Sequence, residues 1–205
     1  MAEKLYLYPV WLRLWHGINA LLILLLIITG VSMQYSSPDF NLIRFDLAVS
    51  IHNISGMILT ANYLIFVIGN FVTPNGKYYK LSFKGLFERL KKQFIYYTVG
   101  IFKHEKPPFP VIKERKFNPL QQFTYVGAMY IMVPLVILTG WAYLYPEILL
   151  TKILGGGGLK VNDFIHVIIG FLLSFFLSVH VYFCTIGATF VSNFKSMVNG
   201  YHEQH

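Results

Sequence analysis

Four apolar stretches restrict the fold of this chain more than any other feature. They run roughly over residues 10–35, 45–72, 119–145 and 162–190. About 20 helical residues cross a hydrocarbon layer ~30 Å thick, so each stretch is long enough. Inside such a layer every backbone N–H and C=O must be bonded within the protein, which leaves helices or closed barrels. Runs of this length predict helices. Only 13% of the 205 residues are charged and 55% are hydrophobic, a balance foreign to soluble domains. The expected fold is an all-α membrane protein: a single domain over 1–205, built as a four-transmembrane-helix bundle. Pro9 suits a helix start. Thr73-Pro74-Asn75-Gly76 is a turn that closes the second span. Pro134 is expected to kink the third. The run Ile18–Val31 lacks an A-x-A-type site and continues directly from Trp15-His16, so it reads as a retained span, not a signal peptide. No internal repeat is evident on inspection.

The loops set an orientation. Segment 74–118 holds eleven Lys and Arg residues, and Lys4, Arg13 and Lys195 add to its side, whereas the opposite loops hold only Arg44, Lys152 and Lys160. By the positive-inside rule both termini and the long loop are cytoplasmic. The +8 net charge is this topological block, and no nucleic-acid partner is expected. Within the loop, Phe83, Phe87, Leu90, Phe94, Tyr97 and Ile101 step by four and three, while Lys84, Glu88, Lys91 and Lys92 avoid that stripe. The pattern predicts a cytoplasmic amphipathic helix between spans two and three, lying on the inner leaflet. Pro107-Pro108-Phe109-Pro110 is a stiff extended segment. Gly155–Gly158 is a flexible outer turn without the ending of a phosphate loop.

Ionisable residues within spans mark function by default. His166 and His180 lie fourteen residues apart in the fourth span. At ~100° and ~1.5 Å per residue they share a helix face and stand ~21 Å apart, one near each side of the layer. His16 opens the first span from inside, and His52 enters with the second span from outside. Depth therefore pairs His16 with His180 and His52 with His166. Two imidazoles facing one iron leave no open coordination site, which favours electron transfer, so the pairs suggest two stacked bis-histidine b haems. Gly56 and Gly170 follow the outer histidines by one turn, where a missing side chain admits a flat macrocycle. One histidine at a helix end is ordinarily an interfacial hydrogen-bonding residue; four of them paired in depth are harder to assign that way. Arg13 is placed either to meet a haem propionate or to anchor its helix among headgroups. His104 is a surface residue, and His202 and His205 lie on the tail with the wrong spacing for a zinc helix. Cys184, the one cysteine, excludes a C-x-x-C-H haem attachment and a cysteine-ligated iron–sulfur cluster within this chain. The haems are thus expected to be non-covalent.

The stretch Pro9-Val10-Trp11-Leu12-Arg13-Leu14-Trp15-His16, the histidines at 52, 166 and 180, and Arg115-Lys116-Phe117-Asn118-Pro119-Leu120-Gln121 resemble the dihaem cytochrome b subunits of respiratory enzymes. That family includes the subunits of nickel–iron hydrogenase, formate dehydrogenase (gamma) and thiosulfate reductase. The resemblance covers nearly the whole chain. It implies a subunit of the bacterial cytoplasmic (inner) membrane that carries electrons between an outer-face partner, of iron–sulfur, hydrogenase or molybdopterin type, and the quinone pool. It further implies a quinone pocket beside the inner haem, with Asn118 and Gln121 as contacts and His180 adjacent. An amide can donate or accept as a quinone changes redox state. Asn118 also fits the plain role of N-cap, with Pro119 at the first helical position. Two other readings stay open: a stand-alone cytochrome b561-like quinone oxidoreductase such as a superoxide oxidase, and a non-redox anchor or transporter.

Overall fold

The computed structural model of the protein describes residues 4–147, 157–187 and 189–203. Four helices are long and apolar enough to cross a membrane: α1 (Val10–Gln34), α2 (Phe45–Val72), α4 (Pro119–Leu144) and α5 (Gly158–Cys184). The shorter helices are α3 (Leu86–Ile95) and α6 (Ser192–Asn199), and two short strands, β1 (Lys4–Tyr6) and β2 (Tyr201–Glu203), pair antiparallel. At most 28% of the most apolar window of any spanning helix is buried within the protein. Their large side chains, such as Leu14, Leu21, Phe171 and Phe175, therefore point outward, as lipid-facing helices require.

Two sequence expectations need correction. The fourth helix begins at Gly158, not near 162, and Asn162 lies within its first turns. Its Nδ2 donates to the Thr139 carbonyl at 3.1 Å and ties α5 to α4. The span ends at Cys184, not near 190. There Thr185 and Ile186 turn back onto the Tyr182 and Phe183 carbonyls. Asn193, from the start of α6, donates to the carbonyls of Cys184 and Ile186, satisfying orphaned groups of the helix end. In α4 the chain takes a π-helical turn over Ala128–Met132 just before Pro134, absorbing the hydrogen bond that proline cannot make. The Gly155–Gly158 turn is described only from Gly157 onward, and His205 and Lys152 lie outside the described residues.

The described residues form two compact units. The first comprises 10–68 and 132–180. In it, Trp15 Nε1 donates to the Asn62 carbonyl at 2.9 Å and the indole stacks on fully buried Phe66 with centroids 4.6 Å apart. Trp141 Nε1 donates to Thr60 Oγ1 at 3.0 Å, linking α4 to α2. Buried polar groups joined across apolar helices fix their register where the packing itself is not directional.

The second unit comprises residues up to 9, 69–131 and 181 onward. Thr73 caps a short 3₁₀ turn, Pro74–Tyr79, by accepting from Asn75 N–H. Gly76 is required there, since a Cβ would lie 2.3 Å from the Asn70 carbonyl oxygen. Asn75 Nδ2 donates to Asn70 Oδ1 (2.6 Å) and Asn70 Nδ2 to the Tyr130 hydroxyl (3.2 Å). Lys116, 3% exposed, donates to Asn75 Oδ1 at 3.3 Å and stands 4.3 Å over the Tyr8 ring. Burial pushes its ammonium down to about 7, and the ring and amide oxygen favour the charged form. Leu7 and Tyr8 N–H both donate to the Gly200 carbonyl. Gly200 has φ 89°, the left-handed conformation that ends α6. The stripe noted in the loop is uncovered at Phe83, Phe87 and Phe94, which are large and exposed.

Candidate functional site

The first unit brings the four span histidines together as two facing pairs. His52 on α2 and His166 on α5 have ring centroids 6.2 Å apart with planes at 62°. His16 on α1 and His180 on α5 also stand 6.2 Å apart, at 54°. A metal–imidazole bond of ~2.0 Å puts the ring centre roughly 3.1 Å from the ion, so two rings on opposite sides of one ion stand about 6.3 Å apart. Both separations fit a shared iron. Among the described residues no three His, Cys, Asp or Glu side chains converge. The arrangement is one of pairs, which suits a macrocycle-bound ion and not a tetrahedral site.

Each ring of the His52/His166 pair has a threonine at Nδ1, an arrangement that favours one proton placement. Thr29 Oγ1 lies 2.9 Å from His52 Nδ1, and Thr139 Oγ1 lies 2.8 Å from His166 Nδ1. Each threonine gives its single hydroxyl proton to a carbonyl one turn back, Thr29 to Leu25 at 2.6 Å and Thr139 to Leu135 at 2.8 Å. The hydroxyl oxygens can then only accept, so each histidine donates from Nδ1 and keeps its Nε2 lone pair. That tautomer leaves Nε2 able to bind a metal. Gly30 and Gly140 follow the threonines; a Cβ there would lie 3.5 Å from His52 Cε1 and 3.6 Å from His166 Cε1. At Gly56 and Gly170 a Cβ would meet no atom within 4 Å, so packing within the protein does not demand glycine at either.

These details expose a repeat that inspection of the sequence missed. α1 and α4 both read Gly-x₁₁-Thr-Gly, at Gly17…Thr29-Gly30 and Gly127…Thr139-Gly140. α2 and α5 both read His-x₃-Gly-x₃-Thr/Ser, at His52…Gly56…Thr60 and His166…Gly170…Ser174. Thr60 and Ser174 even donate to equivalent carbonyls, Gly56 at 2.9 Å and Gly170 at 2.8 Å. The outer pair is thus one histidine from each copy. The inner pair breaks the repeat. The position in α2 that matches His180 is Phe66, and the position in α4 that matches His16 is Val126. The Trp15–Phe66 stack holds the start of α1, where His16 sits, and Phe176 stacks on His180 at 5.9 Å. Arg13 is half-buried one turn before His16.

The second unit contains the other expected site residues. Asn118 and Gln121 form a reciprocal capping box: Asn118 Oδ1 accepts from Gln121 N–H at 2.9 Å, and Gln121 Oε1 accepts from Asn118 N–H at 3.1 Å. Asn118 Nδ2 also donates to the Tyr97 hydroxyl at 2.7 Å. Burial raises the Tyr97 phenol above its ordinary value, so it stays protonated. Gln122, on the same turn, is spent on the carbonyls of Tyr78 and Lys80. His104 is exposed, with φ 55° at the turn after α3.

Apolar helices carrying facing imidazole pairs define a membrane cytochrome of b type. The family model described as prokaryotic cytochrome b561 matches residues 7–200, and the chain belongs to that family. It is similar to the Escherichia coli (strain K12) protein named "Putative cytochrome YdhU", 40% identical over 201 residues, which covers 98% of this chain and 76% of that one. No solved structure matches it. Family and fold make this a multi-pass membrane protein that binds b-type haem and transfers electrons.

Proposed function

We propose that the chain carries electrons across the bacterial inner membrane between an outer-face redox subunit and the quinone pool, using two b haems. His52 and His166 would hold the outer haem, and His16 and His180 the inner one. The equal 6.2 Å separation of the two pairs carries this reading. When bound, each haem would supply one-electron transfer. The protein's part is to hold the rings. Thr29 and Thr139 fix the outer tautomers, Trp15 and Phe66 fix the entry of α1, and the apolar shell excludes water. Arg13 is assigned to a propionate of the inner haem.

The quinone contact is assigned to Asn118 with Gln121 and Tyr97. The cap uses the oxygen of Asn118 and one of its amide protons goes to Tyr97, which leaves its second N–H, and the Tyr97 O–H, as donors to quinone carbonyls. Both termini and the 74–118 segment are cytoplasmic in this reading, so protons for quinone reduction come from that side. A stand-alone quinone oxidoreductase is the second reading, supported by the family description as a cytochrome b561. The partner separates them: an outer iron–sulfur, hydrogenase or molybdopterin subunit that co-purifies supports the first reading.

The test is a pyridine haemochrome assay and dithionite-reduced spectrum of the detergent-purified chain. About two b haems per chain are expected. A folded chain that binds one haem, or that keeps two after His180→Ala, overturns the pairing.

A further inference from the structure

Between the end of α2 and the start of α4 the second unit contains a pocket of about 200 Å³. Its walls carry five cations, Lys77, Lys80, Arg89, Arg115 and Lys116, against one carboxylate, Glu114. The pocket is built, not a chance gathering of loop side chains. Tyr78 donates from its hydroxyl to the Lys113 carbonyl at 2.8 Å, and Gln122 donates to the carbonyls of Tyr78 and Lys80, so residues 77–80 are tied to 113–122. The guanidinium of Arg89 is braced by the Lys84 and Ser82 carbonyls. That of Arg115 is braced by the Pro110 carbonyl at 3.0 Å and lies 5.6 Å from the Phe109 ring centre. Each keeps further N–H groups to give. Among the described residues, none of the five cations forms a salt bridge. Cations on one pocket wall attract an anion.

The position of the pocket identifies the anion's surroundings. Lys77 and Lys80 follow the last residue of α2, Val72, by about one to two turns, and Pro119 and Gln122 belong to the first turn of α4. The pocket therefore stands at the level where two spans leave the hydrocarbon, which is headgroup depth. Phe83 and Phe87, each 79% exposed, flank its Ser82 and Arg89 in sequence and present apolar side chains on the same segment. We infer that this pocket binds a phosphate-bearing anion, the headgroup of an anionic phospholipid. Planar guanidinium forks match phosphate oxygens bidentately, and the lysines add charge without directional demand. The inference does not rest on the haem or quinone assignments.

The test uses the full-length protein in detergent, probed with phosphatidylglycerol, phosphatidylcholine and inorganic phosphate, with bound lipid read by native mass spectrometry and thermal midpoint. Phosphatidylglycerol is expected to bind and stabilise where phosphatidylcholine does not. Arg89→Gln/Arg115→Gln should weaken that binding at least tenfold, whereas Lys84→Gln/Lys103→Gln, exposed cations of the same segment outside the pocket, should leave it within about twofold. If the arginine pair fails to fold, Lys77→Gln/Lys80→Gln serves instead, since both side chains are exposed. Phosphatidylglycerol binding that inorganic phosphate does not displace identifies the lipid. Displacement by inorganic phosphate identifies the same oxyanion site with a soluble occupant. Equal losses in pocket and control variants, or no preference for phosphatidylglycerol, overturn the pocket.

Discussion

The two histidine pairs have the same separation and different origins. The outer pair takes one histidine from each copy of a helix-pair repeat, and the two rings receive the same support: a threonine on Nδ1 and a glycine under Cε1. The inner pair joins His16 of α1 to His180 of α5, and the repeat offers Phe66 where a matching ligand would stand. The contrast teaches that one ring separation can be reached both within the repeat and outside it. One pair is held by hydrogen-bonded threonines, and the other sits beside an aromatic stack of Trp15 on Phe66.

The largest expected effect is loss of haem. His16→Ala or His180→Ala should lower the haemochrome count by about one per chain and leave the outer centre, and His52→Ala or His166→Ala should do the reverse. Loss of both haems from any single variant would show that the pairs fold as one and erase the contrast. The next variant sharpens it. If position 66 is the unused ligand position of the repeat, Phe66→His should restore part of the lost haem to a His16→Ala chain; a count that stays near one per chain would mean that α2 no longer points position 66 at the pair partner.

A smaller effect belongs to the threonines. Thr29→Val or Thr139→Val keeps the shape and removes the acceptor at Nδ1, so the outer haem should be retained with roughly 10- to 100-fold weaker affinity and a shifted midpoint potential. The inner potential should not move, and equal shifts at both centres would break the assignment. Asn118 divides its roles between cap and donor. Asn118→Ala should cost about 1 kcal/mol of stability through the lost cap. Asn118→Asp keeps the cap acceptor and loses the amide N–H, so quinol oxidation should slow while the thermal midpoint holds. If both variants react like the wild type with quinol, Asn118 is a cap alone.

The smallest effect is a pH dependence. Lys116 sits at about 7 in the folded protein against an ordinary 10.5. Below about pH 7 both states carry the proton and it adds no slope. Between about 7 and 10.5 the unfolded chain binds more protons, so stability should rise with pH on its account. Lys116→Met should flatten that rise in thermal melts taken at about pH 6.5 and 9; an unchanged slope would place the titration elsewhere.

Much of the arrangement was legible because membrane constraints are simple. Apolar length fixed the spans to within a few residues, apart from the ends of the fourth. Depth along those spans paired the histidines before any contact was known. The misses have physical causes. The apolar run starts near 162, but the helix begins at Gly158, and only tertiary structure reveals the Thr139 carbonyl that Asn162 bonds. Helix α6 and the β1–β2 pairing are too short and polar to leave a periodic signal. The repeat was written in the sequence as Thr-Gly and His-x₃-Gly, but its copies share few other residues and their loops differ in length. Thr29 and Thr139 could have been found by asking what holds Nδ1 of each ligand, a question the sequence poses and the structure answers.

The strand pair has a consequence for how this chain is made. Lys4–Tyr6 meets Tyr201–Glu203, and Gly200 receives two N–H groups from Leu7 and Tyr8, so a segment that precedes the first span waits for one that follows the fourth. Closing so long a loop in free solution is entropically costly. Here four spanning helices separate the two strands in sequence. The clasp therefore reports completion: it can form only after the fourth helix has been delivered, and a chain stalled before residue 200 would hold its spans with the amino-terminal strand unmated and open to proteases.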